Sequence, residues 1–125
     1  DAICSDHQPH GLDAKLAPFS ESASGIAGLE TLLSLTLKLV DEKVISLPNA
    51  LGRITSQPAR ILGIDVGQLT PNAPADICIF DPDKQWQVNA MRLQSQGRNT
   101  PFDQQFLKGI PITTLVAGKI SYTRS

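Results

Sequence analysis

The sequence predicts an α/β chain: a short strand, a long loop, two or three helices, then a β-rich tail. Three observations carry that reading. Apolar residues recur at helical spacing between Ile26 and Val40. Two apolar runs, Ala2-Ile3-Cys4 and Ala75-Asp76-Ile77-Cys78-Ile79-Phe80-Asp81, have the composition of strands. The pattern changes after Gly67, so residues 63–74 are the candidate boundary between a helical part, 1–66, and a β-rich domain, 67–125.

Taken in order, Ala2-Ile3-Cys4 predicts a buried strand that leaves the core into a polar cluster, Ser5-Asp6-His7-Gln8-Pro9-His10. In barrels of parallel strands that end carries the active-site residues. Residues 11–24 are a long loop with Pro18 in it, and loops of that length are usually functional or disordered. Ile26, Leu29, Leu32, Leu33, Thr36, Leu37 and Val40 predict a helix over residues 26–40, with Ser24 and Gly25 as start signals. A second helix is expected over 47–54, where Pro48 suits a first turn, and a third over 57–62, stopping at Gly63. The strand over 75–81 is closed by Asp81-Pro82-Asp83, and Trp86-Gln87-Val88 is expected to pair back with it. Ala117-Gly118 joins 111–116 to 119–122 as a hairpin, and Trp86 is expected to pack within this tail.

A chain of 125 residues supports one small domain with a modest core. Its 41% hydrophobic and 18% charged residues match ordinary soluble globular protein. A net charge of −1 removes the basic excess that nucleic acid or acidic membranes would call for. The most apolar stretch, 29–40, is interrupted by Glu30, Thr31, Ser34, Thr36 and Lys38, which excludes a membrane span there. Cys4 and Cys78 read as free buried thiols of a cytoplasmic protein rather than a disulfide. The chain opens on a strand-like segment without an initiator Met, which predicts a piece of a longer protein. Apolar faces left uncovered in such a piece predict dimerisation, aggregation or a partner fragment.

Chemistry concentrates in residues 6–10, which hold both histidines of the chain. An Asp just past a strand can bind a metal through one carboxylate oxygen and can take a proton from water. Pro9 restricts Gln8 and stiffens the loop that carries His10. The plain alternative is a polar loop with a helix-capping Asp. Asp6, His7 and His10 cannot by themselves complete a hydrolytic metal site. Ser24 and Gly25 can offer backbone groups to a ligand, or can simply turn the chain ahead of a helix. Arg98-Asn99-Thr100-Pro101-Phe102 reads as a loop that anchors the β-tail to the helical part.

The order of these pieces is more specific than any one of them. Ser5-Asp6-His7-Gln8-Pro9-His10, then Ala17-Pro18-Phe19, then Gly25-Ile26-Ala27-Gly28-Leu29-Glu30-Thr31 resemble the end of the barrel in dihydroorotases. Gln57-Pro58-Ala59-Arg60-Ile61-Leu62-Gly63, Ala73-Pro74-Ala75-Asp76-Ile77-Cys78-Ile79-Phe80-Asp81 and Val116-Ala117-Gly118-Lys119 are similar to later segments of that family. The Asp-His-x-Pro-His spacing and Asn99-Thr100-Pro101-Phe102 narrow the resemblance to dihydroorotases and close relatives, hydantoinases and allantoinases among them.

The resemblance implies the C-terminal part of a (β/α)8 barrel followed by a small β-rich domain, a composite β-sandwich built from both chain ends. It implies reversible hydrolysis of dihydroorotate to carbamoyl-aspartate in de novo pyrimidine biosynthesis, with zinc as the metal. Asp6 matches the family's zinc ligand and catalytic acid/base, and His10 the residue that contacts the substrate carboxylate. Ser24 and Gly25 match the pair whose backbone lies against the substrate ring. The chain alone is expected to be inactive, and the parent to be a cytoplasmic homo-oligomer. Two positions depart from active members, which commonly have Ala at Gln8 and Phe, Ala or Pro at Ser24. The Cys4-Ser5-Asp6-His7-Gln8-Pro9-His10 wording also looks like the non-catalytic dihydroorotase-like subunit that supports aspartate carbamoyltransferase assembly.

Overall fold

The computed structural model describes residues 1–124. Helices α1 (Leu32–Asp41), α2 (Leu47–Ile54) and α3 (Ser56–Leu62) precede strands β1 (Ile77–Gln87), β2 (Phe106–Val116) and β3 (Lys119–Thr123). The strands form one antiparallel sheet with β2 in the centre. Helix α1 packs on β2, and α2 and α3 pack in sequence behind it.

The α1–β2 junction is the core that ties helices to sheet. Leu37 on α1 and Leu107 and Ile110 on β2 are buried. Between them sits a short polar relay. Ser34 Oγ donates to the Gly109 carbonyl at 2.7 Å and accepts the indole N–H of Trp86 at 3.0 Å. Trp86 lies within the tail's sheet, paired with Leu107, as the sequence predicts, and in addition its indole bridges β1 to α1. A part-buried indole N–H needs an acceptor, and the sheet's own carbonyls are taken by the ladder. Gly109 has φ +89°, which favours glycine, and a Cβ there would lie 2.3 Å from Leu37 Cδ1, so any side chain would strain the backbone and displace the end of Leu37.

Helices α2 and α3 form where Pro48 and Gly63 predict them, and the hairpin turns at Ala117-Gly118, both at positive φ. Other expectations are corrected. Helix α1 starts at Leu32, not Ile26. The backbone ahead of it is claimed by residues 7 and 8. Ile26 forms an isolated parallel bridge with His7, and its carbonyl accepts the Gln8 N–H at 2.9 Å. The N–H groups of Gly28 and Leu29 both point to His7 Nδ1. Residues 2–4 form no strand; Ile3 N–H donates to the Arg53 carbonyl at 2.9 Å, and no described strand lies alongside to make a ladder. Cys4 and Cys78 are free, as expected, but exposed rather than buried.

The turn signal at Asp81-Pro82-Asp83 is real but local. Asp81 Oδ1 accepts the N–H groups of Asp83 and Lys84 at 3.0 and 3.1 Å, and the register slips between Asp81 and Gln85. The strand then resumes, so Ile77 faces Leu115 and Trp86 faces Leu107 on the same neighbour. Trp86-Gln87 therefore continues β1 instead of pairing back on residues 75–81. A bulge is one of the few sites in a sheet where proline's missing N–H is tolerated.

Candidate functional site

The predicted site residues lie on two loops, 5–10 and 24–29, with a third segment, 97–99, laid across them. Asp6 is exposed and has φ 42°, a left-handed conformation that Asp tolerates better than most side chains. Its Oδ1 accepts Gln8 Nε2 at 3.2 Å. Non-glycine residues held there store strain of about 1 kcal/mol or more, and such strain clusters at functional sites.

The two histidines join the loops. His7 Nδ1 lies 3.2 Å from both Gly28 N and Leu29 N, so it accepts, and the neutral ring carries its proton on Nε2. His10 Nε2 lies 2.9 Å from the Ser24 carbonyl, which only accepts, so this nitrogen bears a hydrogen. The structure thus brings His10, Ser24 and Gly25 together, with Asp6 on the same loop as His10.

Gly25 has φ +92°, and a Cβ on it would fall 2.4 Å from Gln8 Cβ and 2.5 Å from Gln8 Oε1. The Gln8 side chain therefore covers Gly25, while its amide nitrogen reaches Asp6. Residues 97–99 add the third side. Asn99 is buried and hydrogen-bonds to Gln8, His10 and Gly25. The loop expected to anchor the β-tail to the helical part thus grips the site loops themselves. The sequence marked that segment by its mix of charge, amide and rigid turn but carried no sign of its target. The sequence shows His7 as a possible ligand and carries no sign of its role as acceptor for Gly28 and Leu29.

Of the three candidate metal ligands, His7 Nδ1 and His10 Nε2 already have partners. Asp6 still offers a carboxylate to solvent, and a carboxylate oxygen suits zinc as one ligand of about four. Among the described residues no group of three His, Cys, Asp or Glu side chains could hold a metal ion. The fit is that of a single donor. A hollow of about 740 Å³ lies elsewhere, lined by Leu33, Trp86, Ile110 and Tyr122 between α1 and the sheet, and none of the predicted site residues line it.

Residues 1–121 match the sequence model of the Amidohydrolase family. The chain is 46% identical over 124 residues to a protein named Dihydroorotase from Geobacter metallireducens, covering 99% of this chain and 29% of the relative. It is 47% identical over 122 residues to a Dihydroorotase from Syntrophus aciditrophicus, covering 98% and 29%. The chain thus spans under a third of the length of these relatives. Among solved structures it superposes on dihydropyrimidinase from Brevibacillus agri with a TM-score of 0.89 at 21% identity, over 98% of this chain and 28% of that one, a likeness of fold. L-hydantoinase (dihydropyrimidinase) from Arthrobacter aurescens gives a TM-score of 0.78 at 28% identity, over 85% and 24%. Among the described residues no helix is long and apolar enough to cross a membrane.

Proposed function

The chain belongs to the amidohydrolase family, and from that premise we propose that it is the C-terminal part of a dihydroorotase. The observation that carries the reading is identity of 46% along 99% of the chain to a protein of that name. The parent would interconvert dihydroorotate and carbamoyl-aspartate in pyrimidine synthesis, as a cytoplasmic homo-oligomer. Residues 1–66 would complete a (β/α)8 barrel, and residues 67–125 would supply the C-terminal share of a composite β-sandwich. Exposed Leu16, Phe19, Leu69 and Ile120 support a chain that packs against further protein.

In this reading Asp6 is both a zinc ligand and the group that carries a proton between attacking water and the ring nitrogen. Zinc, when bound, polarises a carbonyl and makes water nucleophilic at neutral pH. His10 spans from the Ser24 carbonyl through Nε2 to the substrate carboxylate through Nδ1, which must then carry a proton to donate. Ser24 and Gly25 present backbone groups to the ring. The test is to assay the whole protein with dihydroorotate and zinc, beside the chain of 125 residues alone. Turnover by the first and none by the second is expected; an inactive whole protein overturns the reading.

One observation favours a second reading. The Gln8 amide covers Gly25, the surface that the substrate ring would use. A non-catalytic dihydroorotase-like subunit that binds aspartate carbamoyltransferase would tolerate such a side chain. Co-purification of that enzyme with an inactive whole protein would select this alternative. Hydrolysis of hydantoin or allantoin is a third reading with less support, since the hydantoinase relative is 28% identical.

A further inference from the structure

We propose that Asn99 is a positioning residue that fixes His10 against Gly25, with Gly97 providing the close approach that lets it do so. The inference rests on the functional reading above, because it assigns those two residues a substrate to hold.

The relative placement of His10 and Gly25 is set by no shared helix or sheet. They lie on different loops, 15 positions apart in sequence, and the regular pairing between those loops is the single bridge from His7 to Ile26. Asn99 supplies what the backbone does not. Its Oδ1 accepts the His10 N–H at 2.8 Å. Its Nδ2 donates to the Gln8 carbonyl at 2.9 Å and to the Gly25 carbonyl at 3.2 Å. Its own carbonyl accepts the Ala27 N–H at 3.3 Å, and Arg98 N–H donates to the His10 carbonyl at 3.0 Å. One amide side chain and its flanking backbone therefore hold both loops.

The chemistry of the partners fixes which end of the amide faces which. One partner is an N–H and two are carbonyls, so the side chain must accept once and donate twice. Only Asn, among residues of this size, does both. Asp has the shape but would face two carbonyl oxygens with a carboxylate. Behind Asn99, the Arg98 guanidinium takes the carbonyls of Ala90, Leu93 and Ser95 at 3.0, 2.7 and 2.7 Å, which folds the preceding loop into a fixed base. Gly97 lies against the motif loop: a Cβ there would fall 2.5 Å from His10 N and 2.5 Å from Pro9 Cβ. Two neighbouring positions thus constrain His10 by unrelated means, hydrogen bonding and contact.

The test compares Asn99→Asp and Gly97→Ala with the parent whole protein. The readouts are kcat, KM for dihydroorotate, zinc content, melting temperature, and hydrogen exchange of the peptides that carry His10 and Gly25. Loss of one or two buried hydrogen bonds shifts a local equilibrium by about tenfold. Asn99→Asp is therefore expected to raise KM, and to speed exchange at His10, by about that factor while zinc content holds. Gly97→Ala should move KM and His10 exchange in the same direction, and keeps the proposal testable if Asn99→Asp does not fold. Unchanged KM and unchanged His10 exchange in a folded variant overturn the proposal. So does exchange that quickens equally across the whole protein, the mark of a merely structural role. If the parent itself does not turn over dihydroorotate, the functional reading fails, and local exchange at His10 still decides whether Asn99 holds the loops.

Discussion

The α1–β2 junction and the three-loop site reach order by opposite means. At the junction, regular elements meet through apolar side chains: Leu37, Leu107 and Ile110 are buried, and most backbone groups are satisfied within helix or ladder. At the site, residues 5–10, 24–29 and 97–99 contain neither helix nor strand. Their backbone groups are satisfied by side chains, those of His7, His10 and Asn99, as much as by one another across the loops. Burial of apolar surface is worth roughly 25 cal/mol per Å² and does not depend on direction, whereas a hydrogen bond is worth about 1 kcal/mol net and depends strongly on it. The junction should therefore carry stability and the site should carry geometry. Variants in the two regions should separate melting temperature from kinetics.

The largest expected effect is on stability. Gly109→Ala puts a methyl group into Leu37 and forces a side chain onto a left-handed backbone. Overpacking and backbone strain together should cost about 3 kcal/mol, read from urea unfolding of the protein. A loss under about 1 kcal/mol would mean that α1 slides away from the strand at little cost, and that the junction is less rigid than its packing suggests.

The next effect is kinetic. Asp6→Asn keeps the shape of an exposed side chain that packs on little, so melting should barely change. In the proposed reading it removes the base, so turnover of the whole protein should fall at least about a hundredfold, the low end of general acid–base contributions. Near-parent turnover would strip Asp6 of its catalytic role and return the 6–10 cluster to a structural loop or a relic in an assembly subunit.

These two regions were not equally legible in the sequence. Helices α2 and α3 and the β2–β3 hairpin were readable because Pro48, Gly63 and Ala117-Gly118 act where they stand. The start of α1 was not, because the N–H groups of Gly28 and Leu29 are taken by His7, 21 and 22 residues away in sequence. Helical periodicity over 26–31 had no means of registering that competitor. Asp81-Pro82-Asp83 is a turn signal that tertiary pairing with β2 converted into a bulge. The site itself was legible as a density of Asp and His in residues 6–10. The segment that holds it was legible only as an unusual loop, since Asn99 meets His10 across 89 residues and no local pattern encodes such a distance.

His10→Asn sharpens the contrast within the site. The ring holds the Ser24 carbonyl and, in the proposed reading, the substrate carboxylate. Its loss should raise KM about tenfold, the size of one charge-assisted hydrogen bond, with a smaller fall in kcat. Steady-state kinetics with zinc content measured in parallel would check this. An equal fall in kcat and kcat/KM at constant KM would instead assign His10 an interaction made only in the transition state.

The smallest expected effect comes from Gln8, the residue through which the site differs most from a plain binding surface. Its side chain lies on Gly25, where a Cβ would come within 2.4 Å, and its amide nitrogen reaches Asp6 at 3.2 Å. These contacts pull in opposite directions. In the proposed reading, cover over Gly25 competes with a substrate ring, while the bond to Asp6 steadies the carboxylate. A half-buried Gln bonded to an exposed carboxylate gains little from that bond, because water offers Asp6 the same partner. The cover has no such substitute, since the space is either filled or open. Gln8→Ala should therefore lower KM for dihydroorotate by roughly two- to threefold, a change on the order of 0.5 kcal/mol, with melting temperature nearly constant. A rise in KM or a tenfold fall in kcat would reverse the ranking. Gln8 would then belong with Asn99 among the side chains that hold the site in place, and its packing on Gly25 would be part of that hold.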